Sequence, residues 1–543
     1  MSSCFLLAAA GSAMSDAEYL KKRAALIVKH SHNDPTFATL HQAMETEDTL
    51  GSGFWLWKID QYLYGQYTEF QPIYDAYREG KSFHDLYDVP QDALVDRAVD
   101  ISKPPSLPDG FFSGNLPKDR KPGWSRYSNG KIYVAYEGDL TDPYMISYDL
   151  ETKRWDGPYK AGHSTLSKNG RKLDGHGYPA FEQDVDGYFH VVFGGHGGEK
   201  EDGLNPHSID TSHAGGRLKH VVSDRPNDIS SFSEKADVSP FASYAETCKM
   251  ANGDIYFFTR AGTHKSPWVY YKMKSGTQTF EPPVAITWPT PRKDDPMLVD
   301  MFYVKIEKAS DTEILVTSMN HLCNFQEIHT PRHDDRFNAY YMKMDTSDDT
   351  FYNVEGEKLT LPITKAVADE KTLVYDSVKN GTIVNDTRGV VLADGAPAMS
   401  YELRFPEPRE WKLATYNDGK WKAGQPMPET TNRTLVDNSG KPLVAPLDLI
   451  LLSSDKDTAT SAVIYRNNRK KTIFAIAQSS KASGILGQDW QIEKEHLVIS
   501  GGGMQMEAVS NGDGEVVAVV INASKGTARR LYLWHEGEIR PRR

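Results

Sequence analysis

The sequence predicts an all-β chain, folded as a seven-bladed β-propeller behind a helical N-terminal extension. A turn followed by an apolar or alternating strand recurs seven times, and most repeats continue into a second strand rich in Tyr, Lys or Trp. Several repeats then close near an aromatic residue: Trp155, Phe280, Phe351, Trp421 and Trp490. The seven repeats begin at residues 129–136, 186–193, 252–258, 311–316, 388–392, 461–476 and 512–520.

A small antiparallel sheet cannot bury both of its faces alone, so repeated sheets stack radially into a propeller. The spacing of roughly 60 residues per repeat exceeds the ~40–50 residues that are usual in propellers. We therefore expect the additional residues to form long loops. A pair of β-sandwiches is the alternative architecture. The predicted propeller domain covers residues 106–543 and follows the Pro-rich stretch at 103–108.

The first hundred residues differ in pattern from the rest. Residues 1–13 contain an apolar run and small residues typical of a secretory signal, without the usual positive start, so a frayed N-terminus is the alternative to export. Residues 14–105 read as a helical extension that packs on the propeller. It opens with a capping box from Ser15 to Glu18, followed by apolar residues at helical spacing.

Composition narrows the functional class. The 543-residue chain is 39% hydrophobic and carries a formal net charge of −12, which argues against nucleic acid as a partner. Three cysteines give no disulfide framework, and no stretch is apolar enough to span a bilayer. We therefore expect a secreted or periplasmic monomer with no membrane partner and no organic cofactor.

The most informative feature is a pair of histidines in Gly-rich loops. His176 lies in Asp174-Gly-His-Gly-Tyr-Pro, and His196 follows a turn and a strand twenty residues later. Tyr244 and Arg260 flank another strand-turn-strand excursion. Because antiparallel strands return the chain to its starting side, all four residues are expected at equivalent ends of adjacent blades.

These residue types suit β-elimination from a uronic acid. An arginine neutralises the carboxylate, a histidine accepts the poorly acidic C5 proton, and a tyrosine or second histidine protonates the departing O4. The plainer interpretations are histidines on surface turns, a packing tyrosine and a solvated arginine.

With these residues in place, the chain resembles the BNR-repeat polysaccharide lyases, especially the ulvan lyases built on seven-bladed propellers. The resemblance rests on residues 174–196 and 243–260. It implies that His176 and Tyr244 carry out the elimination, that His196 assists, and that Arg260 neutralises the carboxylate. His264 stands where some relatives would have an amide, and we assign it to substrate binding.

A second cluster contains His321, Cys323, His329 and His333. Three histidines and a cysteine form a sound tetrahedral zinc set, and a structural Zn²⁺ would stabilise a long loop. The spacing matches no standard zinc finger. The alternative is a basic substrate-binding loop in which Arg332 and Arg336 grip sulfate or carboxylate.

Two other functions stay open for the same fold. A propeller glycoside hydrolase, rhamnosidase-like, would need paired carboxylates, for which Glu182, Asp184 and Asp186 are available. A non-catalytic glycan-binding propeller would use the histidines only to line a groove. The leading prediction is a lyase that takes an anionic polysaccharide. Ultraviolet absorbance of an unsaturated uronate separates the three functions, because only a lyase generates that product.

Overall fold

The computed structural model describes much of the chain beyond residue 124 and short parts of the region before it. The described residues are 14–31, 60, 63–64, 67–78, 125–137, 142–164, 175–196, 216–262, 265–293, 298–324, 336–391, 396–405, 410–426, 434–436, 448–454, 457–466, 471–480, 489–500, 502–511, 515–525 and 528–540. The signal-like segment 1–13 and the Pro-rich boundary at 103–108 lie outside them.

The described part of the N-terminal region contains two helices. Helix α1 (Asp16–Ser31) begins where Ser15 Oγ accepts a hydrogen bond from the Glu18 amide at 3.3 Å, which satisfies one of the unpaired amides of its first turn. Helix α2 (Gln71–Arg78) lies against α1, with the Tyr19 and Tyr77 rings stacked at 3.7 Å. The packing of this extension on the β units stays a prediction. Neither helix is long and apolar enough to cross a membrane, and the same holds for the other described helix.

The rest of the described chain is almost entirely β-structure, and we number it as seven successive units, two of which share one sheet. Apart from one parallel pair in unit 6, the neighbouring strands of these units pair antiparallel. Unit 1 contains β1 (Ser125–Ser128), β2 (Lys131–Glu137), β3 (Pro143–Asp149) and β4 (Arg154–Lys160). Unit 2 contains β5 (Ala180–Gln183), β6 (Phe189–Gly194), β7 (Gly216–Ser223) and β8 (Phe232–Glu234). Unit 3 contains β9 (Ser239–Lys249), β10 (Ile255–Arg260), β11 (Trp268–Met273) and β12 (Val284–Ala285).

The later units repeat this plan with small additions. Unit 4 contains β13 (Thr290–Pro291), β14 (Leu298–Lys308), β15 (Glu313–Asn324), β16 (Arg336–Asp345), β17 (Thr350–Tyr352), helix α3 (Lys365–Lys371) and β18 (Leu373–Tyr375). Unit 5 contains β19 (Ile383–Val391), β20 (Pro397–Phe405), β21 (Glu410–Asn417) and β22 (Lys420–Pro426). Unit 6 contains β23 (Thr434–Val436), β24 (Asp448–Ser454), β25 (Thr458–Arg466), β26 (Lys471–Ser480) and β27 (Asp489–Ser500). Unit 7 contains β28 (Gly502–Ser510), β29 (Val516–Lys525), β30 (Ala528–His535) and β31 (Glu538–Arg540).

Hydrophobic cores lie between consecutive units, which explains why central strands such as β10 are apolar on both faces. Successive side chains of a strand point to opposite faces. Tyr256 and Phe258 accordingly pack toward unit 4, whereas Ile255 and Phe257 pack toward unit 2. Truncating either phenylalanine to alanine would cost about 3–5 kcal/mol of stability. The prediction of an all-β chain is confirmed.

One predicted turn is wrong. Arg388-Gly389 was expected to open the fifth repeat, but both residues lie within β19, the first strand of unit 5. A Cβ on Gly389 would approach the Cβ atoms of Leu315 and Glu307 to 2.9 and 3.0 Å. The glycine therefore permits close packing of unit 5 on unit 4, and does not mark a turn.

Candidate active site

Units 2 and 3 are joined into one eight-stranded sheet, and the candidate site lies over this seam. Strands β7 and β9 pair through Gly216 with Ala242 and Leu218 with Ser239. The His196 amide donates to the Ala242 carbonyl at 2.5 Å. A Cβ on Gly195 would lie 2.6 Å from that carbonyl oxygen, so only glycine allows this approach. Backbone contacts therefore fix the loop that carries His196.

The structure brings the two predicted histidines into contact. His176 lies in a 3₁₀ turn (Gly175–Gly177) ahead of β5, and His196 follows β6. Their rings stack with centroids 4.0 Å apart and planes 14° from parallel. Both side chains are half-buried. The β5–β6 hairpin thus returns the chain to the side from which it started, as the spacing predicted.

Tyr244 is aimed at this pair by an irregularity of β9. Between the pairs Phe258–Glu246 and Arg260–Ser243 the register of β9 and β10 shifts, and Tyr244 has a left-handed φ of +63°. A bulge of this kind redirects a side chain and is common beside active sites. The Tyr244 ring lies 5.3 Å from the His176 ring, edge to face.

Arg260 ends β10 and is completely buried. Its Nε donates to Ser243 Oγ at 3.1 Å and to the Gly262 carbonyl at 3.3 Å. The guanidinium carbon lies 4.9 Å from the centre of the Tyr244 ring. Among the described residues, neither Nη atom has a hydrogen-bond partner. Burying a cation without an anionic partner costs free energy, so this guanidinium is suited to binding a planar anion.

The same surroundings keep Tyr244 protonated. Burial raises the pKa of Tyr244 above that of an ordinary tyrosine, and the neighbouring phenol of Tyr303 raises it further, while the positive charge of Arg260 only partly opposes them. Tyr244 is therefore a neutral phenol at neutral and mildly alkaline pH. It is able to donate a proton.

Unit 4 contributes further polar side chains to the site. The Tyr303 ring, on β14, lies 5.5 Å from the Arg260 guanidinium carbon and 5.0 Å from that of Arg336. The His321 ring is 5.3 Å from that of Tyr303. The sequence reasoning did not identify Tyr303. Tyr303 lies on the long strand β14, which packs beside β9, the strand of Tyr244, and this contact between strands distant in sequence has no local sequence signal.

Of the remaining residues predicted for substrate or metal binding, the structure describes some and not others. His264, His329, Arg332 and His333 lie outside the described residues. Cys323 is buried with its Sγ 3.4 Å from the Met301 sulfur, and it shares a face of β15 with His321. Within the described ranges, no three His, Cys, Asp or Glu side chains are grouped as metal ligands. The zinc site stays a prediction.

The described arrangement combines one anion-receiving guanidinium with two imidazoles and a protonated phenol. An imidazole is a suitable base near neutral pH, and a buried phenol is a suitable acid. Such a cleft can hold a carboxylate and transfer protons at the carbon next to it.

The chain is similar to several known proteins. The family model described as a BNR repeat-containing family member matches residues 131–427, more than half of the chain. An ulvan lyase of Pseudoalteromonas sp. (strain PLSV) is 36% identical over 313 residues, 55% of this chain and 62% of that protein. An ulvan lyase of Nonlabens ulvanivorans is 42% identical over 283 residues, 50% of this chain and 58% of that protein. The chain thus spans less than two thirds of these relatives' length.

A solved structure extends the similarity over more of the fold. The polysaccharide lyase PL25 ulvan lyase bound to -[GlcA(1-4)Rha3S]- superposes with a TM-score of 0.65 at 27% identity. The match covers 83% of this chain and 97% of that one.

Proposed function

The chain belongs to the BNR repeat-containing family, and from that premise we propose that it is a polysaccharide lyase. Its substrate would be a uronate-containing, ulvan-like glycan, cleaved by β-elimination at C4 of the uronic acid. The relatives that are named ulvan lyases support this assignment. The observation that carries it is the buried Arg260 guanidinium, whose Nη atoms lack described partners beside two histidines and a tyrosine.

In this mechanism Arg260 donates two hydrogen bonds to the uronate carboxylate, and this bidentate contact makes the C5 proton more acidic. His176 takes the C5 proton, and the electron pair of that bond forms the C4–C5 double bond as the C4–O4 bond breaks. Tyr244 donates its proton to O4, a role that suits its raised pKa. His196, stacked on His176, orients that ring.

The substrate-binding role of Arg336 is part of the proposal. Its Nη1 donates to the Asn385 carbonyl at 3.0 Å and to the amide oxygen of that side chain at 3.3 Å. Both partners are uncharged, so its charge is left for an anionic group, such as a sulfate or a second carboxylate, of a neighbouring sugar. His264 and Arg332 would extend this subsite.

We further propose that the seven units close into a seven-bladed propeller. Contacts between the first strands of neighbouring units support a ring. Arg126 of β1 pairs with Glu182 of β5 at 2.7 Å, and Lys249 of β9 donates to the Gln183 carbonyl of β5 at 2.8 Å. The last unit meets the first through a hydrogen bond from Ser125 to Glu507.

The hydrolase alternative receives less support from the same residues. Glu182 is buried in its ion pair with Arg126. Asp184 accepts from the amides of Asp186 and Tyr188 and contacts His190 at 3.0 Å. Both carboxylates therefore hold the fold together, and neither is positioned as half of an acid–base pair.

The deciding experiment incubates purified protein with a panel of uronate polysaccharides, sulfated and unsulfated. We expect ultraviolet absorbance from the conjugated double bond to grow with ulvan or a similar polymer. New reducing ends without that absorbance would indicate a hydrolase. Binding without any cleavage would indicate a glycan-binding protein, and either result would overturn the lyase assignment.

For the His/Cys cluster we propose a structural Zn²⁺ held by His321, Cys323, His329 and His333. If this holds, one equivalent of zinc should copurify, and Cys323→Ser should lower both the zinc content and the melting temperature. Cys248→Ser is the matched control, because that cysteine is also buried and lies outside the cluster. Metal-free protein of unchanged stability would leave the cluster as a substrate-binding loop.

We also propose that the protein acts outside the cytoplasm as a monomer, because a charged polymer does not cross a membrane unaided. Fractionation of the producing cells and light scattering of the purified protein test these two points. Activity confined to the cytoplasm would contradict the first, and a dimeric mass would contradict the second.

A further inference from the structure

Tyr303 lies at the junction of two packed interfaces. It sits on β14, the long strand that packs beside β9, and its side chain is half-buried. It packs against the core between units 3 and 4 and also against the core between units 4 and 5. Neighbours on both sides therefore restrict its ring, and a fixed ring is suited to positioning other groups.

Tyr303 also contacts the polar groups of both units. Its ring lies 6.1 Å from the Tyr244 ring, edge to face, and the Tyr303 phenol raises the pKa of Tyr244. The guanidinium groups of Arg260 and Arg336 both lie within cation–π distance of this one ring. The mechanism above uses Tyr244 and Arg260 directly but leaves Tyr303 without a role.

We propose that Tyr303 is a positioning residue with two separable contributions: its hydroxyl holds the Tyr244 phenol, and its ring holds Arg260 and Arg336 at the cleft. This inference rests on the proposed lyase function. It goes further because it divides the effect of a single side chain between turnover and substrate affinity.

The hydroxyl acts before the proton is transferred. The Tyr303 phenol lies beside the Tyr244 ring and raises the pKa of Tyr244, so it keeps Tyr244 protonated and in one orientation until O4 receives the proton. No bond of Tyr303 breaks, and the proton passes only from Tyr244 to O4.

The ring acts before the chemical step. Arg336 has only uncharged partners at Asn385, so the Tyr303 ring is its other described contact at the cleft. Without an aromatic ring at position 303, the Arg336 guanidinium would lose that support and its preferred orientation. Substrate affinity would then fall together with turnover.

The test compares Tyr303→Phe with Tyr303→Leu. Phenylalanine keeps the ring and loses the hydroxyl, so we expect kcat to fall about 10- to 100-fold with KM changed less than about twofold. Leucine also loses the ring and should raise KM in addition. Tyr416→Phe is the matched control, because Tyr416 donates a hydrogen bond to Glu355 at 3.0 Å far along the chain in unit 5. Unchanged kcat in Tyr303→Phe, or equal KM increases in both variants, would overturn the proposal.

The pH profile supplies a readout that a purely structural role would not change. The groups facing Tyr244 are Tyr178, His176, Arg260 and Tyr303. The phenols of Tyr303 and Tyr178 raise the pKa of Tyr244, and the positive charge of Arg260 lowers it. Removing the Tyr303 hydroxyl should lower that pKa, so the alkaline limb of the rate profile should move to lower pH. An unmoved limb would contradict the proposed contact.

The two proposals fail in different ways. If the unaltered protein forms no unsaturated product from any uronate polymer, the lyase function is wrong. The phenol contact is then still measurable by fluorine NMR of protein labelled with fluorotyrosine, in which loss of one signal in Tyr244→Phe assigns that residue. Tyr303→Phe should shift the titration of this signal to lower pH, and an unchanged titration would refute the contact.

Discussion

Arg260→Lys should retain the fold and lose most of the proposed lyase activity. Lysine keeps the positive charge but replaces two parallel Nη donors with a single ammonium, which cannot grip a carboxylate bidentately. It also lacks the planar group that lies against the Tyr244 ring at 4.9 Å. We expect transition-state stabilisation to fall by about 2–4 kcal/mol, which corresponds to a decrease in kcat/KM of roughly 30- to 1000-fold.

The measurement is the initial rate of unsaturated product formation, with circular dichroism and the melting temperature to verify folding. Arg217→Lys provides the control, since Arg217 pairs with Asp237 at 3.1 Å on an exposed surface. That variant should behave like the unaltered protein. Full activity in Arg260→Lys would remove Arg260 from the site and with it the main support for uronate recognition.

The second large effect is expected from the residues that we propose to transfer protons. His176→Ala and Tyr244→Phe should each reduce kcat at least ~100-fold, the low end for a positioned acid or base, while substrate binding persists. Tyr244→Phe keeps the ring that packs beside Trp268 and loses only the hydroxyl, so this variant isolates the proton donor. His196→Ala should also be severe, because it removes the ring on which His176 stacks.

Single-turnover kinetics and direct binding measurements separate these effects from loss of affinity. His163→Ala is a suitable histidine control, because His163 is 67% exposed and contacts only Asp142 among its charged described neighbours. Near-normal turnover in Tyr244→Phe would rule out the His/Tyr assignment. A division of the two roles between His176 and His196 would then be the better account.

The sequence predicted the positions of residues correctly wherever the local path of the chain determines them. Antiparallel strands with short turns return the chain to one side, and this alone placed His176 with His196 and Tyr244 with Arg260. The sequence did not predict the role of a residue where contacts with another unit determine that role. Gly389 has the local appearance of a turn glycine, yet its role is set by Leu315 and Glu307 of unit 4.

Contacts across units also explain why Tyr303 was overlooked. Its importance comes from Tyr244, Arg260 and Arg336, which are distant in sequence and reach it from other strands. His321 was grouped with the nearby Cys323 and His333, and its ring contact with Tyr303 has no local sequence signature. The pKa of Tyr244 depends on burial, which no motif predicts.

The continuous sheet formed by units 2 and 3 bears on how the protein would unfold under heat. Main-chain hydrogen bonds between β7 and β9 tie the histidine-bearing unit to the unit that carries Tyr244 and Arg260. The two units should therefore open as one cooperative element, and their amides should exchange with solvent at similar free energies. Partial unfolding elsewhere in the chain would leave the reacting groups aligned, so inactivation should coincide with the loss of amide protection in this sheet.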